Sequence, residues 1–133
     1  MILFWIARFV MLLLVVFGVG CSFVQSNLTD QETDMSLGVA SFYGPHFHGR
    51  LTANGERFNQ YDNTAAHRHW PFNTKVKVTN MSNGKNACVR INDRGPYISG
   101  RIIDVSFGIA RRLGFVQQGL ARVSLEKNSE ECG

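Results

Sequence analysis

Lys75-Val76-Lys77-Val78 alternates polar and apolar side chains with a period of two, the pattern of a strand with one face buried. Asn83-Gly84 follows as a tight-turn dipeptide and leads into Ala87 to Ile91, so the two runs predict a hairpin. Val123 and Leu125 alternate against Arg122 and Ser124 in a last strand, Ala121 to Leu125. Leu37 to Tyr43 reads as a first strand, its alternation weakened at Gly38, and Arg101 to Val105 as a further short one. Ser106 then has the side chain of an N-cap, Ile109, Ala110 and Leu113 supply the apolar positions of a helix, and Gly114 is its stop. Five or six short strands with one helix predict a small closed barrel. About ninety residues can bury a single modest core.

The first twenty residues follow a different pattern. Arg8 is their only charge, the apolar run Phe9 to Phe17 comes next, and Gly18-Val19-Gly20 precedes Cys21. This resembles a bacterial lipoprotein signal, which implies that residues 1–20 are removed and Cys21 is lipidated as the mature N-terminus. The position three before the cysteine, usually Leu in such signals, is Gly18. The alternative is an uncleaved N-terminal membrane anchor, because about twenty apolar residues can span a bilayer. Both readings put the domain outside the cytoplasm. Residues 21–36 carry Asp30, Glu32 and Asp34 without apolar periodicity and are expected to be a flexible tether.

The 133-residue chain has room for one domain. Its net charge of +4 understates that domain, since twelve Lys and Arg face five Asp and Glu between Ser36 and Glu126. A basic domain outside the membrane favours anionic partners such as cell-wall glycans or lipid headgroups. Nucleic acid is not expected, because no RNA-binding aromatic signature or basic recognition helix is visible. With Cys21 set aside, Cys88 and Cys132 either form a disulfide, permitted in an oxidising compartment, or remain two thiols.

Candidate chemistry begins at Asn92-Asp93-Arg94-Gly95-Pro96, where a carboxylate follows a strand and a Gly-Pro pair forces a turn. Thr52-Ala53-Asn54-Gly55-Glu56 and Ala65-Ala66-His67 bring a second carboxylate and an imidazole, so Asp93, Glu56 and His67 form the candidate site. His46-Phe47-His48 and His67-Arg68-His69 are weak metal-ligand pairs, and no metal or other cofactor is expected.

The runs Gly38 to Gly44, Phe47 to Arg50, Thr52 to Phe58, Ala65 to His67, Val76 to Asn80, Asn92 to Pro96 and Arg101 to Ser106 together resemble the rare lipoprotein A family. The resemblance covers Gly38 to Leu125 and implies a mainly β fold, a six-stranded double-psi β-barrel with one or two short helices over residues 37–126. Residues 127–133 are then a tail, with no SPOR domain expected. The implied activity is endolytic lytic transglycosylation of peptidoglycan, preferring strands without stem peptides. The implied setting is the bacterial envelope, with the protein lipid-anchored to the outer membrane and facing the periplasm. Cell-division or other envelope proteins are possible partners. A non-catalytic wall-binding or wall-loosening protein of expansin type is the competing reading.

In such a reaction the muramoyl 6-hydroxyl attacks its own anomeric carbon, so one carboxyl group can act first as acid and then as base. The resemblance assigns that role to Asp93; as catalytic candidates beside it, Glu56 is expected to orient substrate or supply a second carboxylate, and His67 to hydrogen-bond Asp93 or the sugar and assist proton transfer. Arg94 would bear on Asp93 if its guanidinium turned toward the carboxylate. Asn54, Asn59, Arg50, Arg57, Arg94 and Tyr43 are expected to bind substrate, the arginines through the lactyl carboxylates of muramic acid. The family commonly has an aspartate where this chain has Asn59, which cannot carry a proton. Asp104 is expected to serve a structural role, toward Arg101 or a backbone donor, rather than a catalytic one.

Overall fold

The computed structural model describes residues 34–133. The expected signal at 1–20, Cys21 and nearly all of the tether lie outside the described residues. Six strands, β1 (Met35–Phe42), β2 (Thr64–Ala66), β3 (Lys75–Asn80), β4 (Asn86–Asp93), β5 (Arg101–Val105) and β6 (Ala121–Lys127), close into a barrel in the order β1-β5-β2-β4-β3-β6. The β1/β5 and β2/β4 pairs are parallel and the other four antiparallel; of the consecutive strands only β3 and β4 are neighbours, so the other four connections pass an intervening strand rather than turn back as hairpins. Closure leaves no unpaired edge for another chain to join.

The predicted hairpin is present, with Val76 opposite Val89 and Val78 opposite Ala87. Period-two alternation sends Val76, Val78, Val89 and Ile91 inward, where Ile103, Val105, Val123 and Leu125 meet them in one fully buried core. Helix α1 (Phe107–Leu113) packs its apolar positions Ile109, Ala110 and Leu113 against that core. Ser106 caps it by accepting from the Ile109 amide at 3.3 Å, and Gly114 ends it in the left-handed region at φ 76°. The Leu113 carbonyl, left over at the helix end, accepts from Asn80 Nδ2 at 2.8 Å and Asn83 Nδ2 at 2.9 Å, so the hairpin turn also closes the helix.

Two boundaries differ from expectation. β1 starts at Met35 rather than Leu37, because Met35 and Ser36 pair with Glu126 and Leu125 of β6 and so belong to the sheet, not to the tether. At the other end the expected tail is tied down. Cys88 and Cys132 form a disulfide with their Cα atoms 5.5 Å apart, and Lys77 pairs with Glu131 at 2.7 Å.

Candidate active site

Strict alternation from Val89 and Ile91 would send Asp93 into the core, yet its side chain is outside. The reason is a bulge. In the β2/β4 pair Ala65 faces Ile91 but Ala66 faces Asp93, so β4 carries one extra residue, Asn92, against β2. Ala66 also faces Asp104 of β5, and Asp104 faces Ser41 of β1. Ser41, Asp104, Ala66 and Asp93 therefore form one row across four adjacent strands, while Ala40, Ile103, Ala65 and Ile91 belong to the buried core.

Three donors hold the Asp93 carboxylate. The Ala53 and Arg94 backbone amides both donate to Oδ1 at 2.9 Å, and the Tyr43 hydroxyl donates to Oδ2 at 2.6 Å. Ala53 is delivered by the Thr52–Glu56 turn, which docks on β4 through the Asn54 amide to the Asn92 carbonyl at 3.3 Å. Asn54 shapes that turn from inside, its Oδ1 accepting from Thr52 Oγ1 at 2.6 Å and the Glu56 amide at 3.1 Å. Tyr43 stands just past β1, its ring against Phe58 at 4.6 Å and Phe47 at 5.6 Å. Burial, and then the hydrogen bond to Asp93, push its pKa far above the usual tyrosine range, so the phenol keeps its proton.

Arg94 turns away from its neighbour's carboxylate. Its guanidinium lies 4.0 Å over the Phe72 ring and donates from Nη1 to the Trp70 carbonyl at 2.9 Å. Glu56 sits on the same turn as Ala53, but its carboxylate faces sideways into a bidentate pair with Arg90, at 2.7 and 2.9 Å, and accepts from Asn92 Nδ2 at 3.2 Å. The Arg90 contact foremost, with Asn92 behind it, lowers the Glu56 pKa to about 2.

His67 meets Asp93 only through backbone, its amide donating to the Asp93 carbonyl at 3.2 Å. Its imidazole is 6% exposed and stacks flat on Trp70, ring centres 3.9 Å apart. Nδ1 accepts from the Trp70 amide at 3.1 Å and the His69 amide at 3.3 Å, which requires the neutral ring with its proton on Nε2. Desolvation, reinforced by His69, Arg94 and Arg68, lowers its pKa to about 4. The ring borders a separate cavity of about 220 Å³ with Asp34, Ser36 and Ile102.

Among the expected substrate ligands, Arg50 is exposed with its guanidinium 5.5 Å over Phe47, and Arg57 is exposed and donates to the Gly49 carbonyl at 3.0 Å. Asn59 turns its own loop by accepting from the Tyr61 amide at 2.9 Å. Asp104 pairs with Arg101 at 3.3 Å, and Ser41 bridges the two, the structural role expected of it. Among the described residues no cluster of three metal-ligating side chains occurs.

The sequence between residues 35 and 125 matches the family model described as "Lytic transglycolase". The chain belongs to this family. Within it, the chain is 61% identical over 67% of its length to the probable endolytic peptidoglycan transglycosylase RlpA of Synechocystis, covering 28% of that protein. It is 48% identical over 74% of its length to the endolytic peptidoglycan transglycosylase RlpA of Pseudomonas aeruginosa, covering 29% of it. This member of the family thus spans about three-tenths of the curated relatives it matches. In solved structures the barrel is similar to the expansin of Clavibacter michiganensis, with TM-score 0.57, 17% identity, and coverage of 74% of this chain and 52% of that one. It is also similar to the Streptomyces papain inhibitor, with TM-score 0.57, 18% identity, and coverage of 70% and 93%. At these identities the likeness carries the fold alone, a double-psi barrel of the expansin kind.

Reading residues in order did not anticipate three parts of this family member's site. Tyr43 was expected to touch substrate, not Asp93, since the 50-residue separation between them carries no local signal. Arg90 was missed, although its period-two spacing from Asn92 was there to be read. The amide of Ala53 has no side-chain signature at all.

Proposed function

We propose that this domain cleaves the MurNAc-GlcNAc bonds of peptidoglycan by lytic transglycosylation, acting within strands that lack stem peptides and leaving 1,6-anhydro ends. The observation that carries this reading is the Asp93 carboxylate, brought to the outer face by a bulge and fixed by the Tyr43 hydroxyl and two backbone amides. Because Oδ1 already accepts from both amides, a proton on Asp93 belongs on Oδ2, where the Tyr43 oxygen can turn to accept from it. From Oδ2 the proton passes to the leaving GlcNAc oxygen as the glycosidic bond breaks. The resulting carboxylate then takes the proton of the muramoyl 6-hydroxyl as that oxygen closes on the anomeric carbon, so no water is consumed. Tyr43 holds the carboxylate in one rotamer throughout.

The exposed guanidinium groups of Arg50 and Arg57 fit the lactyl carboxylates of a peptide-free strand, which supports the substrate preference. Glu56, held by Arg90, orders the turn that delivers the Ala53 amide, and His67 supports the same region from behind. The setting that goes with this chemistry is the cell envelope, with attachment through a lipidated Cys21. One observation favours a second reading, an expansin-like protein that binds wall glycan without cleaving it: neither Glu56 nor His67 offers a second free proton-transfer group beside Asp93.

The test is to incubate the full chain with peptide-stripped and intact peptidoglycan and to weigh the released products. Anhydro-ended fragments that vanish in Asp93→Asn support transglycosylation. Reducing ends point to hydrolysis, and binding without release supports the second reading.

A further inference from the structure

Tyr97 is 78% exposed, on the loop that Asp93 begins, and the fold has no packing use for it. Four residues span at most about 14 Å, so the Cα atoms of Asp93 and Tyr97 lie within that distance of each other. The ring folds back over its own loop, beside the residue two positions from Asp93: a methyl group added at Gly95 would stand 3.7 Å from Tyr97 Cε2. The loop that carries it is braced at both ends by one side chain. Arg68, from the segment after β2, donates from Nε to the Pro96 carbonyl and from Nη2 to the Arg101 carbonyl, each at 2.7 Å. Between those two points the Arg101 amide closes a turn on the Ile98 carbonyl at 3.2 Å.

A guanidinium bridging the two ends of a short surface loop is more order than chain connection needs. What the bracing holds in place is an exposed aromatic face. A pyranose ring presents an apolar C–H face while its substituents point outward, and a tyrosine covers such a face at little entropic cost because it has only two rotatable bonds. We propose that Tyr97 is the stacking face of a sugar subsite beside Asp93, occupied by an N-acetylhexosamine ring of the glycan strand, and that Arg68 is the positioning residue that holds it there. The inference rests on the transglycosylase reading and adds a binding residue to it. Tyr97 contributes affinity, and Arg68 acts only through Tyr97.

The test uses the full chain with Asp93→Asn to stop turnover, and measures the Kd for peptide-stripped glycan strands. Tyr97→Ala should raise Kd about tenfold and Tyr97→Phe should restore it, since the face and not the hydroxyl does the stacking. Arg68→Ala should weaken binding when Tyr97 is present and add nothing in the Tyr97→Ala background, whereas simple destabilisation would weaken both equally. With Asp93 intact, Tyr97→Ala should raise KM by more than it lowers kcat. Equal Kd with and without Tyr97→Ala in the Asp93→Asn background, while the chain with Asp93 intact cleaves strands, overturns the subsite and leaves the transglycosylase reading standing. Loss of affinity that Phe does not restore overturns the stacking role. A chain that neither cleaves nor binds stripped strands overturns both.

Discussion

His67 makes the fold sensitive to acid, and the effect can be worked from its surroundings. The imidazole is buried against Trp70 and uses Nδ1 as an acceptor, so protonation would strip two backbone amides of their partner and put a cation in an apolar site beside Arg68 and Arg94. Its pKa is about 4 in the folded chain against 6.5 for a free imidazole. Between those values the unfolded chain binds more protons than the folded one, so stability rises with pH. The contribution is complete above pH 6.5 and is lost as pH falls toward 4. Integrated from pH 4.5 to 6.5 it amounts to about 2 kcal/mol, or a melting-temperature shift of about 10 °C for a domain of this size. Glu56, whose pKa is about 2 when folded, changes stability mainly below its free value of 4.5 and so leaves the window to histidine. Urea unfolding at pH 4.5, 5.5 and 6.5 should show this rise in the wild type. It should be absent in His67→Asn, which keeps an acceptor near Nδ1 but does not titrate. Equal pH slopes in the two chains would refute a buried neutral imidazole, whatever their absolute stabilities.

Three further outcomes are expected. Tyr43→Phe removes the donor to Asp93 Oδ2 and should lower kcat about ten- to hundredfold with folding intact, checked by turnover and circular dichroism. Arg90→Ala frees the Glu56 carboxylate, so its pKa should climb from about 2 toward 4.5 in a carbon-detected NMR titration, and the stability that this carboxylate adds as pH rises from about 2 to 4.5 in the wild type should shrink. Replacing Cys88 and Cys132 with Ala removes a cross-link of sequence separation 44, worth about 4 kcal/mol by loop entropy, and urea denaturation should register a loss of up to that size.

The repeating parts of this fold were legible because their causes are local. Period-two alternation marked β3, β4 and β6, Asn83-Gly84 marked the turn between two of them, and Ser106 with Gly114 marked both ends of the helix. Motif order along the chain singled out Asp93 and the turn holding Asn54 and Glu56. Alternation alone, however, would have buried Asp93, and only pairing with β2 reveals the extra residue that brings it out. Direction was equally invisible. Arg94 is adjacent to Asp93 in sequence yet stacks on Phe72, while Tyr43, fifty positions away, bonds the carboxylate directly. His67 belongs to the same motif set but lies against Trp70, since the chain bends after β2 and its ring finds two backbone amides there. Periods, turns and caps are set by neighbours within a few residues, so the sequence by itself determined the strands, the helix and which loop carries the carboxylate. Register, bulges and side-chain direction depend on strands distant in the chain, and barrel closure alone decided which groups meet that carboxylate.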